Sequence, residues 1–231
     1  MDEEFFHFFA SKMNTFKEPF FTTIFSISSH HPFKVPERYA GKFPKGTIPL
    51  HQCLGYTDNA LRKFFEYAKT MPWYKNTLFV FTADHASVGC LKEYKNTPGA
   101  FAIPIAFYLP DNSLQRYDTT TIAQQIDIMP SVLSFLKYPQ DFMAFGKNVF
   151  DTTSNQMAIN YTNENFQCFY KNYVLQFDEK NVVNMYNFKT DRFFKTDVRN
   201  TGIPEQNDME NYTKAFIQEY TNRMIENRMC E

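Results

Sequence analysis

The sequence predicts an α/β core followed by a small α+β appendage, on three observations. Two short, nearly continuous apolar runs, Thr77–Ala83 and Ile103–Tyr108, have the texture of strands covered on both faces. Segments with a 3.6-residue apolar period alternate with them. After about residue 150 the alternation gives way to closely spaced β-rich runs and one last helix. The expected division is a core over 1–150 and a small antiparallel sheet and helix subdomain over 151–231.

Composition supports a folded, ring-packed interior. The 231 residues are 43% hydrophobic and 21% charged, which excludes a disordered chain and a coiled coil. Twenty-seven Phe and 14 Tyr against 7 Gly leave little material for glycine-rich phosphate loops, and no G-x-G-x-x-G or Walker pattern occurs. With 24 Lys+Arg against 25 Asp+Glu the formal charge is −1, so nothing favours nucleic acid as a partner. Cys53, Cys90, Cys168 and Cys230 are far apart and form no C-x-x-C pair. No apolar run approaches the roughly 20 residues of a membrane helix, and the acidic start Met1-Asp2-Glu3-Glu4 lacks the positive charge of an export signal.

Taken in order, Phe5, Phe9, Met13 and Phe16 predict an amphipathic helix over 3–16, ending before Glu18-Pro19. Phe20 to Ile27, aromatic and β-branched, predicts a buried strand that Pro32 stops. Residues 34–50, with three prolines and two glycines, read as a loop. Leu61, Phe64, Phe65 and Ala68 stripe a helix from Asp58 to about Met71, and Trp73–Asn76 turns into the strand Thr77–Ala83. Asp127 and Pro130 open a helix over 128–137 with Val132, Leu133 and Leu136 inward. Phe166–Phe177 and Val182–Phe188 read as antiparallel strands, and Tyr212, Phe216, Tyr220 and Met224 stripe a final helix. Asn160-Tyr161-Thr162 and Asn211-Tyr212-Thr213 fit the glycosylation pattern at about the rate chance provides.

Candidate chemistry sits where strands end. Open α/β sheets bind ligands outside the carboxyl ends of strands, which singles out Asp84 and His85. A carboxylate oxygen beside an imidazole nitrogen suits Zn²⁺, Mn²⁺ or a similar divalent ion. The alternative is that Asp84 caps a turn and His85 is an ordinary polar side chain. His30 and His31 follow the first expected strand, where an imidazole can bond a phosphoryl or sulfuryl oxygen or carry a proton; the alternative is a pair of solvated loop histidines. His7 and His51 have no evident partner in the sequence. No serine, threonine or cysteine stands in a recognisable nucleophile motif.

Several segments, in this order and at these intervals, carry a resemblance. They are Pro19-Phe20-Phe21, Ser28-Ser29-His30-His31-Pro32-Phe33, Tyr56-Thr57-Asp58-Asn59-Ala60-Leu61 and Asn76 to His85. Ile103-Pro104, Gln125-Ile126-Asp127-Ile128-Met129-Pro130-Ser131 and Phe145-Gly146-Lys147-Asn148-Val149-Phe150 follow. Over roughly residues 2–190 the chain resembles the second half of the lipoteichoic acid synthase and phosphoglycerol transferase group of the sulfatase and alkaline phosphatase superfamily.

The resemblance implies an incomplete sulfatase-like sheet with helices on both faces. It implies metal-dependent transfer or hydrolysis at a phosphate or sulfate ester, with Asp84 and His85 as metal ligands. His30 would contact the substrate's phosphoglycerol group, and His31 falls on a variable aromatic position beside it. The implied cofactor is Mn²⁺ or Zn²⁺, with Mg²⁺ or Ca²⁺ as further options, and the implied substrate a lipid- or glycan-linked phosphate or sulfate ester. Ala86-Ser87-Val88-Gly89 departs from the glycine usual after the Asp-His pair. The group's acidic ligand and nucleophile lie well before its histidine segment, so with 29 residues before His30 both are expected upstream of this chain. The expected parent is a membrane enzyme with an extracytoplasmic catalytic domain, of which this piece is soluble, inactive alone and prone to self-association. A true sulfatase, a phosphoethanolamine transferase and a non-catalytic domain of the same fold are the competing readings.

Overall fold

The computed structural model describes residues 1–87, 91–114 and 119–230. In chain order these form α1 (Asp2–Met13), α2 (Leu50–Ala68), β1 (Phe79–Thr82), β2 (Ile105–Tyr108) and α3 (Ile128–Phe135). A second run gives β3 (Met157–Thr162), β4 (Asn165–Tyr170), β5 (Tyr173–Phe177), β6 (Val182–Asn187) and α4 (Glu205–Ile225). β1 and β2 make a two-stranded sheet, and β3 to β6 a four-stranded one in sequence order. The chain divides into two compact units, one of residues 1–80 and 107–115, the other of 81–106 and 116–231.

In the first unit α1 packs on α2. Asp2, Glu3 and Glu4 occupy the first turn of α1 and Lys12 the last, matching the helix dipole at both ends. The inward face carries Phe6, Ala10 and Met13, with Asp2 at its head, and Phe5 is 45% exposed. The expected stripe through Phe5, Phe9, Met13 and Phe16 is therefore rotated by about one residue. α2 begins eight residues before the expected Asp58, because Leu50, Cys53 and Tyr56 extend the buried line of Ala60, Phe64 and Ala68. Trp73 and Tyr74 complete this core at 3% and 6% exposure.

Phe20 to Ile27 is not a buried strand. The segment has no strand assignment, and its exposure alternates residue by residue. Phe20 and Ile24 pack on the core, whereas Phe21, Phe25 and Ile27 are 88%, 63% and 65% exposed. β1 is also shorter than expected and only half-buried. Pro104 lies just outside β2, where its missing N–H costs no ladder bond.

The second unit is built on the meander. The β3–β4 turn runs through Asn163 and Glu164 at φ +48° and +62°, the left-handed pair of a two-residue hairpin. The expected single strand Phe166–Phe177 is thus two, β4 and β5, and β3 was not foreseen. One amide from each strand joins a cross-sheet chain: Asn184 Nδ2 donates to Gln176, Gln176 Nε2 to Gln167, and Gln167 Nε2 to Asn160, at 3.2, 3.4 and 2.8 Å. A one-residue slip would break every link, so the chain of amides pins the register. Met209 and Thr213 are the buried residues of α4. Tyr220 and Met224 are exposed and Leu136 of the α3 end is 62% exposed, against the inward positions expected for all three.

Glu3 on α1 accepts from Lys63 Nζ at 2.8 Å and Tyr39 Oη at 2.6 Å, with Arg38 3.4 Å away. Burial alone would raise its pKa, but the bonds from Lys63, Tyr39 and Arg38 prevail and lower it from 4.5 to about 2. A depressed carboxylate stabilises the fold fully above its unfolded value and loses that contribution as pH falls towards the folded one. Glu3→Gln should therefore lower the urea midpoint at neutral pH, with the gap to wild type closing between about pH 4.5 and pH 2. A gap independent of pH would remove Glu3's charge from the account.

Candidate functional site

Asp84 and His85 form the turn just past β1, with side chains 51% and 73% exposed. Asp84 Oδ1 accepts the His85 N–H at 2.9 Å. The His85 Nδ1–H donates to the Ala86 carbonyl at 2.8 Å, since a carbonyl can only accept. That leaves Nε2 facing Asp84 Oδ2 at 3.4 Å. A neutral imidazole nitrogen and a carboxylate oxygen both offer lone pairs, so they face each other stably as an ion pair of the imidazolium or across a shared cation. Two donors each 2.0–2.1 Å from a tetrahedral ion stand roughly 3.3–3.4 Å apart, so this pair fits two corners of a zinc-like shell. Among the described residues no group of three or more His, Cys, Asp or Glu could hold a metal ion. Val88 and Gly89, part of the departure from the usual glycine pattern, lie outside the described residues.

His30 and His31 belong to the first unit and Asp84 and His85 to the second. Both loop histidines are exposed. His30 Nδ1 lies 3.3 Å from the His31 carbonyl, and the His31 ring packs on Phe33 with centroids 4.3 Å apart. Their loop is held from below by Asp2, only 1% exposed, whose carboxylate accepts the N–H groups of Ile27 and Ser28 at 3.2 Å. The buried Ser28 hydroxyl accepts the Asp2 N–H in return at 3.1 Å.

The carbonyls of Ala83 and Asp84 both accept from Gln125 Nε2, each at 2.8 Å. Gln125 starts a 3₁₀ turn through Asp127, and Asp127 is 1% exposed. Its side chain does not cap α3 as expected. Oδ2 instead accepts the Gln124 N–H at 2.9 Å, and Oδ1 the Lys147 N–H at 2.8 Å. Burial pushes this carboxyl above the usual carboxylate range, against the pull of those two N–H groups. Ser131 Oγ donates to the Asp127 carbonyl at 2.6 Å and accepts the Val149 N–H at 3.0 Å. Gly146 passes so close that a Cβ there would lie 2.0 Å from the Ile126 carbonyl oxygen. The two motifs around Asp127 and Gly146 are thus one polar clasp. Sequence reasoning missed Gln125, whose partners are 41 and 42 residues away.

No cysteine on these elements offers a nucleophile: burial pushes the Cys168 thiol up to about 12, and Cys53 is buried with its pKa likewise raised. A cavity of about 560 Å³ in the second unit is lined by Phe101, Gln124, Gln125, Ile126, Phe188 and Arg192 among others, but not by Asp84 or His85.

The sequence model of the sulfatase family matches residues 1–138, more than half of the chain. The chain belongs to the sulfatase family. Lipoteichoic acid synthase 1 of Bacillus subtilis (strain 168) is 26% identical over 168 residues, 64% of this chain and 26% of that protein. The lipoteichoic acid synthase-like YvgJ of the same organism is 23% identical over 156 residues, 58% and 25% of the two chains. This sulfatase-family chain therefore spans about a quarter of the length of the curated relatives it matches.

Solved structures agree on the fold. A protein in the alkaline phosphatase superfamily from Vibrio parahaemolyticus superposes with TM-score 0.79 at 20% identity, covering 100% of this chain and 56% of that one. The lipoteichoic acid synthase LtaP from Listeria monocytogenes gives 0.73 at 20% identity, covering 98% and 59%. The fold is the α/β fold of the alkaline phosphatase superfamily, as the sequence predicted. Among the described residues no helix is long and apolar enough to cross a membrane.

If the clasp is what shapes this part of the sulfatase fold, Gly146→Ala should cost about 1–3 kcal/mol by forcing the Ile126 backbone aside. Urea denaturation measures it, and a midpoint equal to wild type would mean that the two segments do not meet as described.

Proposed function

We propose that this chain carries part of the site of a metal-dependent phosphoglycerol transferase or related phosphate or sulfate esterase. Asp84 and His85 would be two of the metal ligands. The observation that carries the reading is the Asp84 Oδ2 to His85 Nε2 facing distance of 3.4 Å at the end of β1, in a sulfatase-family chain. In that site the Asp84 carboxylate contributes negative charge and a hard oxygen, and His85 a nitrogen whose tautomer is set by the Ala86 carbonyl. A bound divalent cation would lower the pKa of a coordinated nucleophile and neutralise charge on the transferring oxygens.

His30 would contact the substrate. With Nδ1 turned to the His31 carbonyl, its Nε2 is left to reach outward. Protonated, it donates to a phosphoryl oxygen; neutral, it accepts from a glycerol hydroxyl. His31, its ring tilted against Phe33, would wall the same approach. The nucleophile and the remaining acidic ligand would come from polypeptide outside these 231 residues. The similarity to lipoteichoic acid synthases supports a lipid- or glycan-linked ester as substrate and a membrane-tethered, extracytoplasmic parent. With only part of the ligand set in these 231 residues, turnover by this chain alone would be slow or absent.

A non-catalytic binding domain of the same fold is the second reading, favoured by the lack of a third donor among the described residues. Calorimetric titration with Mn²⁺ and Zn²⁺ separates the two. The metal-site reading expects saturable heat that disappears in Asp84→Ala and in His85→Ala, while glycerol phosphate added to the loaded protein binds wild type and not His30→Ala. No heat with either ion, or heat unchanged by both ligand substitutions, would leave the non-catalytic reading standing.

A further inference from the structure

We infer that Gln125 is the positioning residue of the Asp84–His85 turn: its carboxamide holds the two backbone carbonyls that make these side chains face one point. The inference rests on the metal-site reading above, and it assigns a role to a residue that touches neither ion nor substrate.

The turn has little of its own to fix it. Asp84 and His85 are exposed, and the bonds their side chains make run only to His85 N and the Ala86 carbonyl among the described residues. From outside the turn, Gln125 Nε2 donates to the Ala83 and Asp84 carbonyls, and the neighbouring Thr82 Oγ1 donates to the Ala83 carbonyl at 3.0 Å, so among the described residues the Asp84 carbonyl is held by Gln125. A primary amide nitrogen has two N–H donors, and here each is matched to one of two successive carbonyls at 2.8 Å. Bridging consecutive carbonyls fixes the two peptide units that meet at the Asp84 Cα, from which the carboxylate hangs. Rotation of either unit about that Cα would turn Oδ2 away from His85 Nε2.

Gln125 can do this because its own backbone cannot yield. Asp127 ties the Gln124 and Lys147 N–H groups, and the Asp127 N–H bonds back to the Gln124 carbonyl at 2.9 Å. The preceding side chain, Gln124, reaches the other way: Oε1 accepts the Ile159 N–H at 3.0 Å and Nε2 donates to the Met157 carbonyl at 3.3 Å. Two neighbouring glutamines thus anchor one rigid turn on β3 and use it to hold the candidate ligands. β3 thereby becomes a foundation of the candidate site, and the C-terminal sheet more than an appendage.

Two readouts on the intact chain test this, with Gln125→Ala and Gln125→Glu as variants and Mn²⁺ as the probe. The first needs no metal: ¹⁵N shifts of the His85 ring at about pH 8, where imidazole is ordinarily neutral. Wild type should show the Nδ1–H tautomer, and both variants a mixture, with far-UV circular dichroism unchanged. The second is Mn²⁺ affinity by calorimetry, which should fall about 10–100-fold in Gln125→Ala, the usual loss when a group that orients a ligand is removed. An unchanged tautomer together with unchanged affinity would overturn the inference and leave the metal site intact. If wild type itself takes up no Mn²⁺, the metal reading fails, and the tautomer alone decides whether Gln125 orders the turn.

Discussion

One buried carboxylate holds the second unit's candidate site in shape. Asp127 is 1% exposed and answers its desolvation with two backbone N–H groups, that of Gln124 three residues before it and that of Lys147 20 residues after it. Removing either partner would leave a buried acceptor unmatched, which costs far more than an ordinary hydrogen bond contributes. From that fixed point follow the approach of Gly146 to Ile126, the Ser131 link to Val149, and the outward reach of Gln124 and Gln125.

The first unit uses the same device. Asp2 is equally buried and accepts the N–H groups of Ile27 and Ser28, just before the exposed His30 and His31 in the chain. In each unit the exposed, chemically versatile residues stand on a loop with few contacts of its own, and a sequestered aspartate one step behind supplies the rigidity. This division suits a site that must present donors to a charged ligand: the presenting groups remain open, and the cost of ordering them is met by polar bonds beneath the surface. Cys53 and Cys168, buried and with raised pKa, are packing residues in this scheme.

What could be read from the sequence followed from local pattern. The apolar run before Asp84 placed the Asp-His pair at a strand end, and the order of short motifs pointed to the sulfatase fold. Pattern failed where two solutions fit equally well. Phe5, Phe6, Phe8 and Phe9 permit two helix faces, and only the tertiary role of Asp2 selects the one observed. Gly55 and the polar His51-Gln52 pair hid the first two turns of α2, although Leu50, Cys53 and Tyr56 are buried there. Phe20 to Ile27 has a strand's composition, but composition is silent on whether a neighbouring strand pairs with it. Gln125 was out of reach for a different reason: its contacts to Ala83 and Asp84 span more than 40 residues, and nothing in a Gln-Ile-Asp tripeptide says which carbonyls its amide will meet.

A metal site at the end of β1 requires Asp84 and His85 to grip a single cation. Anomalous diffraction at the manganese edge, from crystals of this chain soaked in Mn²⁺, tests that most directly. A peak within bonding distance of both Asp84 Oδ2 and His85 Nε2 is the predicted result. Density elsewhere, or none beside that pair while the two side chains stay ordered, would contradict it.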